Sequence, residues 1–183
     1  DGSGVWTDHG QAIGFAHRRL AIIDLSAAAL QPMFTADEAL GIVFNGEIYN
    51  HQELRDELTA LGHEQWRTDH SDTEVVLYAF REWGIDCLKR FRGMFAFALW
   101  DVAQKALWLG RDRIGVKPLY YAQDDRGIVF ASEIKAILAG PERKRAVNEE
   151  AFFHYLSFLT TPAPMTLFDG IEKLGAGTWM RIA

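Results

Sequence analysis

Three groups of polar residues interrupt apolar segments at points where side chains can act on a bound ligand. Arg19 separates two apolar segments, Asn45-Gly46-Glu47 follows a third, and Asp72 comes after a polar segment at 68–71. Arginine, amide and carboxylate side chains bind charged or polar groups, so these positions are candidate site residues. Taken singly, each has an ordinary interpretation: a surface charge, a turn, and a carboxylate that complements a helix dipole by about 0.3 to 1 kcal/mol.

Other catalytic signatures are absent from the sequence. It contains no glycine-rich phosphate loop followed by Lys-Ser/Thr, no G-x-S-x-G segment and no H-E-x-x-H helix. The six histidines show no ligand spacing, so the sequence predicts no metal site.

The composition favours a folded domain and argues against several classes of partner. The 183 residues are 49% hydrophobic and 13% aromatic, enough for a substantial core. A formal net charge of −6 argues against nucleic acid and against an anionic membrane surface. The longest apolar segment, 94–100, is far shorter than the roughly 20 residues of a membrane-spanning helix. With a single cysteine, Cys87, these features predict a cytoplasmic protein.

The sequence predicts two amphipathic helices, each of which begins with a capping-box pattern and ends at a glycine. The first pattern is Asn50-His51-Gln52-Glu53, and Gly62 ends that helix. The second is Ser71-Asp72-Thr73-Glu74, and Gly84 ends the helix. Asp72 is therefore expected in the first turn of the second helix.

Strands are predicted before and after these helices. Residues 11–24 form two strands or one bent strand, and 40–44 form another that stops at an Asn45-Gly46 turn. In 94–100 both alternating positions are apolar, so that strand must be covered on both faces; it forms a hairpin with 106–109. Strands at 115–121 and 127–131 and helices at 132–140 and 148–159 complete the prediction. This order of elements indicates an α+β fold.

Six segments, in the correct order and covering nearly the whole chain, resemble motifs of one family. The segments are 17–26, 44–51 with Glu53-Leu54-Arg55, 71–74, 93–101, 110–121 and 131–136. Six ordered motifs are far more specific than any one of them. The family that they resemble is the glutaminase domain of the glutamine-dependent asparagine synthetases, which are class II glutamine amidotransferases.

The resemblance implies a four-layer αββα sandwich of the N-terminal-nucleophile hydrolase type. In that family an N-terminal cysteine attacks the side-chain amide of L-glutamine, with its own α-amine as the base. The ammonia that is released passes to a separate ATP-dependent synthetase domain. No cofactor is therefore expected in this domain, and ATP and Mg are expected in the synthetase domain.

The same resemblance assigns roles to the polar residues by matching position. Arg19 holds the substrate α-carboxylate, a task suited to its bidentate fork. Asp72 and the Glu47 region hold the α-ammonium. Asn45, through its side-chain amide, and Gly46, through its backbone N–H, form the oxyanion hole, where one donor is worth about 2.7 to 4 kcal/mol. The backbone of Leu20, Ala21, Ile22 and Ile23 lines the same pocket.

The sequence departs from the family pattern at its two ends. The family's opening segment, which starts with the catalytic cysteine, does not precede Asp1, and the chain ends where the family domain closes. Residues 1–183 are therefore expected to be an amidotransferase domain that lacks its first strand and the following synthetase domain. Cys87 has no α-amine beside it and is expected to be a small buried hydrophobe. We expect the chain alone to lack glutaminase activity.

Three interpretations of function stay open at this point. The first is the glutamine-hydrolysing domain of an asparagine-synthetase-like amidotransferase, which serves amidation of aspartate or a related carboxylate. The second is a non-catalytic remnant of the fold, used for glutamine sensing or partner docking. The third is a domain that serves another ammonia acceptor, or a silent one as in a β-lactam synthetase. The absent first strand also predicts an open sheet edge, and hence a homodimer or aggregation.

Overall fold

The two predicted pairs of helices form in the predicted order along the chain, and strands at 2–8, 33–34, 172–173 and 179–182, which the sequence analysis does not predict, add to the predicted ones. A computed structural model describes residues 2–20, 24, 26–140 and 145–183. The strands are β1 (Gly2–Asp8), β2 (Ile13–Arg19), β3 (Met33–Phe34), β4 (Leu40–Ile48), β5 (Gly93–Asp101), β6 (Ala106–Arg111), β7 (Tyr120–Asp124), β8 (Gly127–Ala131), β9 (Glu172–Lys173) and β10 (Trp179–Ile182). The α-helices are α1 (His51–Ala60), α2 (Asp72–Trp83), α3 (Ile134–Leu138) and α4 (Glu149–Phe158). Short 3₁₀ turns lie at Ala27–Ala29 and Gly84–Lys89.

One of two compact units runs from the start of the chain to Leu109 and includes Met180–Ala183. It holds a five-stranded sheet in the order β10-β6-β5-β4-β3, centred on the antiparallel pair β4 and β5. One face of β4 and β5 packs against α1 and α2 in a continuous hydrophobic core. Residues that alternate with these, such as Val43 and Ala98, are buried as well. Burial of both faces confirms the prediction made for 94–100.

The predicted turn at Asn45-Gly46 is wrong. β4 continues through both residues to Ile48 and pairs with β5 along its whole length. The two backbones approach so closely at Gly46 that a Cβ there would lie 2.2 Å from the Met94 carbonyl oxygen and 2.6 Å from the Phe95 Cα. The glycine therefore serves close packing between strands, and long-range pairing overrides the local turn preference of Asn-Gly.

Both helices form where predicted, but neither capping box does. The side chains of Asn50 and Ser71 make no cap hydrogen bond to their own helices. Asn50 Oδ1 instead accepts from the Arg92 N–H, at 2.8 Å, just before β5. Glu74 accepts from the Thr68 N–H, at 2.9 Å, and so organises the loop in front of α2. In each case a more distant backbone donor competes successfully with the local one.

β1 and β2 form an antiparallel hairpin in the same unit. Of the two strands or one bent strand predicted at 11–24, the structure describes β2, and residues 21–23 lie outside the described part of the chain. In the hairpin register Gly2 lies opposite Arg19 and Gly4 lies opposite His17. Two residues without side chains thus face two large polar ones.

The second unit, Gly110–Trp179, contains the three-stranded sheet β8-β7-β9 with α3 and α4. The strand predicted at 115–121 begins only at Tyr120. Before it the chain is an irregular loop, which Arg111 holds by donating to backbone carbonyls, among them that of Lys117 at 2.7 Å. In the part of the chain that the structure describes, no helix has the length and apolarity to cross a membrane.

Candidate active site

β2, β4 and the start of α2 meet in the first unit, and they bring most of the predicted site residues together. His17 Nε2 lies 3.1 Å from the Phe44 carbonyl oxygen, which places β2 beside β4. The Ile48 N–H donates to Asp72 Oδ2 at 3.0 Å, which places α2 at the end of the same strand. Asn45-Gly46 lies between these two anchor points.

One edge of β4 presents backbone donors at this place. β3 pairs with β4 only as far as Ile42, and beyond it the Phe44 N–H donates to the side chain of Gln31. The amides of alternate residues in an antiparallel strand point to the same side. Because Phe44 and Ile48 both direct theirs away from β5, the Gly46 N–H between them points to the same edge.

Asp72 is a carboxylate with an unfavourable environment for its charge. It is only 6% exposed, and burial raises its pKa, although the Ile48 N–H and the charge of His51 act in the opposite direction. Within the described residues, no Lys or Arg side chain forms an ion pair with it. A buried carboxylate without a cationic partner is destabilising, so the site is suited to a positively charged ligand group.

Glu47 lies close enough to Asp72 for its charge to raise the pKa of Asp72 further. Two carboxylates facing one region deepen the negative potential there. This arrangement agrees with the expectation that Asp72 and the Glu47 region bind one ammonium group, which stays a prediction.

Arg19 is half-buried, with its guanidinium held against the backbone of its own chain. Its guanidinium donates to the carbonyl oxygens of Asp24 and Ser26, the latter at 3.1 Å, and thereby holds the segment that follows β2. Burial raises the pKa of the Asp24 carboxyl, but hydrogen bonds from Ser26 and the charge of Arg19 bring it below its ordinary value. A guanidinium carries five N–H donors, so carboxylate binding by Arg19 stays a prediction.

The remaining pocket-lining prediction concerns Leu20 and the three residues after it. The Leu20 side chain is 72% exposed, while Ala21, Ile22 and Ile23 lie outside the described residues. Their backbone contribution to the pocket therefore stays a prediction too.

Cys87 is a fully buried thiol in the hydrophobic core of the first unit. Burial raises its pKa to about 12, far from the thiolate range of reactive cysteines. Both observations agree with its predicted role as a small hydrophobe. No group of His, Cys, Asp or Glu side chains suited to a metal ion occurs in the described ranges.

A cavity of about 450 Å³ lies at the opposite end of α2 from Asp72. None of the predicted site residues lines it. Arg81, at the rim of the cavity, lies nine positions after Asp72 in the sequence, which corresponds to about 14 Å along the helix axis. Its lining residues are Ala39, Leu40, Phe80, Arg81, Gly84, Ile85, Asp101, Gln104 and Trp108.

Two residues beside the site, His17 and Gln31, are not among the predicted site residues. Strand alternation puts His17 on the same face of β2 as Arg19, so the sequence contains a signal for it. Gln31 has no such signal, because its partner Phe44 lies 13 residues away in β4.

The fold agrees with that of a known amidotransferase. The chain superposes on glutamine phosphoribosylpyrophosphate amidotransferase of B. subtilis, solved with ADP and GMP, with a TM-score of 0.56 and 24% sequence identity. The match covers 68% of this chain and 28% of that one. The likeness confirms the predicted fold class, a four-layer αββα sandwich.

Sequence comparison assigns the family within that class. A family model described as "Glutamine amidotransferase domain" matches residues 1–183, so the chain belongs to this family. It is 41% identical over 177 residues to asparagine synthetase [glutamine-hydrolyzing] 3 of Bacillus subtilis. It is 38% identical over 181 residues to a putative asparagine synthetase [glutamine-hydrolyzing] 2 of Methanocaldococcus jannaschii. These matches cover 95% and 90% of this chain but only 28% and 34% of the relatives.

Proposed function

We propose that this chain is the glutamine-hydrolysing domain of an asparagine-synthetase-like amidotransferase. The observation that carries the proposal is the buried carboxylate of Asp72, which forms no ion pair with a Lys or Arg side chain of the described residues, at the end of a strand edge that presents the Gly46 N–H. Glutamine has a cationic ammonium group and a reacting carbonyl, and this site offers a partner for each.

Free glutamine is small, so its orientation in the site comes mainly from its charged α-ammonium and α-carboxylate groups and less from apolar contacts. Asp72, with Glu47 beside it, binds the α-ammonium, and the Arg19 guanidinium binds the α-carboxylate. The backbone of residues 20–23 lines the pocket between them. Removing one partner of such a desolvated pair leaves a charge uncompensated, at about 2 to 5 kcal/mol.

The chemical step needs a thiolate, which an N-terminal cysteine ahead of this domain supplies in the parent protein. Its sulfur forms a bond to the glutamine side-chain carbonyl carbon, and the carbonyl electron pair moves onto oxygen. Asn45, through its side-chain amide, and Gly46, through its N–H, donate to that oxyanion. The cysteine α-amine takes the thiol proton as the thiolate forms. When the C–N bond breaks, the resulting α-ammonium gives that proton to the leaving nitrogen, so ammonia departs. Water then hydrolyses the thioester to glutamate and restores the thiol.

The ammonia acceptor belongs to the rest of the parent protein. Relatives about 40% identical to this chain are named glutamine-hydrolysing asparagine synthetases, which supports ATP-dependent amidation of aspartate or a related carboxylate. ATP and Mg would bind in that synthetase domain, in the cytoplasm. A homodimer stays a prediction, and sedimentation of the chain at increasing concentration measures it.

Steady-state kinetics with glutamine and with ammonia as alternative nitrogen donors test these roles in a parent protein that carries the N-terminal cysteine. Arg19→Ala and Asp72→Ala should raise the KM for glutamine by orders of magnitude, because each leaves a substrate charge unpaired. Asn45→Ala should lower kcat about 10²- to 10³-fold with little effect on binding, because the oxyanion exists only in the transition state.

Ammonia-dependent synthesis should survive all three substitutions, since it bypasses this pocket. Arg18→Ala is the matched control, because Arg18 is an exposed neighbour on the opposite face of β2. An unchanged KM in Arg19→Ala, or an equal loss with both nitrogen donors in Asn45→Ala, would contradict the assigned roles. Glutamine binding without turnover by a parent protein that carries the cysteine would favour the sensing interpretation instead.

A further inference from the structure

Two side chains take the place of a neighbouring strand at Phe44, the residue immediately before Asn45. Gln31 Oε1 accepts from the Phe44 N–H at 2.6 Å, and His17 Nε2 lies 3.1 Å from the Phe44 carbonyl oxygen. A carbonyl oxygen only accepts, so His17 Nε2 carries the proton and donates. Both polar groups of the Phe44 backbone are thus held by side chains from other elements.

The His17 ring is held in a specific protonation state. Burial lowers its pKa, so the ring is neutral at pH 7, and a proton on Nε2 leaves Nδ1 as an acceptor. Nδ1 is buried, and it has no hydrogen-bond partner in the described part of the chain. A buried acceptor without a partner is unfavourable for folding, which indicates that this histidine does more than fill space.

Gln31 connects Phe44 to the helix that carries Asp72. It is buried, and its Nε2 donates to Thr73 Oγ1 at 3.4 Å, in the first turn of α2. One amide side chain therefore contacts both β4, just before Asn45, and α2, next to Asp72. The two ends of the candidate site share this contact.

Gly4 lets these two residues approach each other. It lies opposite His17 in the hairpin register, and a Cβ on it would lie 2.2 Å from the Gln31 carbonyl oxygen. A backbone atom cannot rotate away from such a contact as a flexible side chain does. The absence of a side chain at Gly4 is therefore required for Gln31 and His17 to act on the same residue.

We infer that His17 and Gln31 are positioning residues for the oxyanion donors of Asn45 and Gly46. They fix the two peptide groups that flank Phe44, the second of which leads into Asn45, where β3 no longer pairs with β4. Oxyanion donors act only at about 2.7 to 3.1 Å from the developing charge, and a displacement of about 1 Å can reduce the rate about 10²-fold. The inference rests on the proposed function.

The test compares His17→Phe, which removes the donor and keeps a ring, with His17→Gln, which retains an N–H donor. The assay is the glutamine- and ammonia-dependent kinetics of a parent protein that carries the N-terminal cysteine. His17→Phe should lower kcat for glutamine about 10- to 10²-fold without a matching change in KM, and leave the ammonia-dependent rate unchanged. His17→Gln should recover most of that loss.

Gln31→Met is a second variant, which removes the acceptor of the Phe44 N–H, and it should show the same split between kcat and KM. It keeps the inference testable if His17→Phe does not fold, which far-UV circular dichroism reports. Ser3→Ala, at an exposed position of β1, is the control and should match the wild-type protein.

The outcomes separate this inference from the proposed function. If Asn45→Ala lowers kcat but His17→Phe and Gln31→Met do not, the positioning roles are wrong and the proposed function stands. If Asn45→Ala has no effect either, the proposed function fails. Equal losses with glutamine and ammonia, or His17→Gln as impaired as His17→Phe, would also overturn the positioning roles.

Discussion

Replacing Gly46 by alanine tests whether the close contact between β4 and β5 requires a residue without a side chain at this position. The added Cβ would lie 2.2 Å from the Met94 carbonyl oxygen, whereas ordinary contacts begin at 3.4 Å. The added Cβ meets backbone atoms and the Phe95 Cβ, none of which can rotate away. The two strands must therefore separate locally by about 1.2 Å.

The expected loss of stability follows from the hydrogen bonds that flank this point. Asn45 pairs with Ala96 and Glu47 with Met94, directly on either side of Gly46. Each backbone hydrogen bond stretched out of range removes about 0.5 to 1.5 kcal/mol, and overpacking of a filled interior costs about 1 to 3 kcal/mol. We expect Gly46→Ala to lower the free energy of unfolding by about 3 kcal/mol or more.

Urea-induced unfolding of the chain, followed by the fluorescence of its six tryptophans, measures this loss. With a denaturant dependence of about 2 kcal/mol per molar, the midpoint should fall by about 1.5 M. Gly14→Ala is the matched control, because its Cβ would meet Thr7 Cγ2 at an ordinary 3.4 Å in another strand. Equal midpoints for Gly46→Ala and Gly14→Ala would refute the reasoning.

Three further predictions concern buried titratable groups. The Cys87 thiol, with its pKa raised to about 12 by burial, should react with Ellman's reagent only after the chain unfolds, and rapid labelling of the native chain would contradict this. Asp72→Asn should raise the urea midpoint at pH 7, because the raised pKa of Asp72 means that its charged form opposes folding. The asparagine side-chain oxygen can still accept from the Ile48 N–H. A lowered midpoint would refute this prediction. Burial also lowers the pKa of His17, so the unfolded chain binds that proton more readily and stability should fall as the pH drops below 6.5. The stability of the His17→Gln variant should fall less steeply over that pH range, and equal slopes of stability against pH in the two proteins would contradict the prediction.

The sequence alone determined the positions of α1, α2 and β5. Apolar periodicity and glycine stops placed α1 and α2, and with them Asp72 in the first turn of a helix. Alternation of apolar residues in 94–100 predicted a strand buried on both faces. These features depend on neighbours within a few residues, so a local pattern is sufficient to predict them.

Only the tertiary structure decided how those elements are joined at the site. Asn45-Gly46 has the local signal of a turn, yet pairing with β5 keeps it within a strand. Phe44 and Ile48 find their partners in His17, 27 residues away, and in Asp72, 24 residues away. Whether a polar side chain caps its own helix or binds a distant donor depends on which atoms the fold brings within about 3 Å of it. The same holds for whether Asn45-Gly46 forms a turn or continues a strand. Contacts between residues so far apart in sequence leave no periodic pattern, and therefore the folded chain alone sets them.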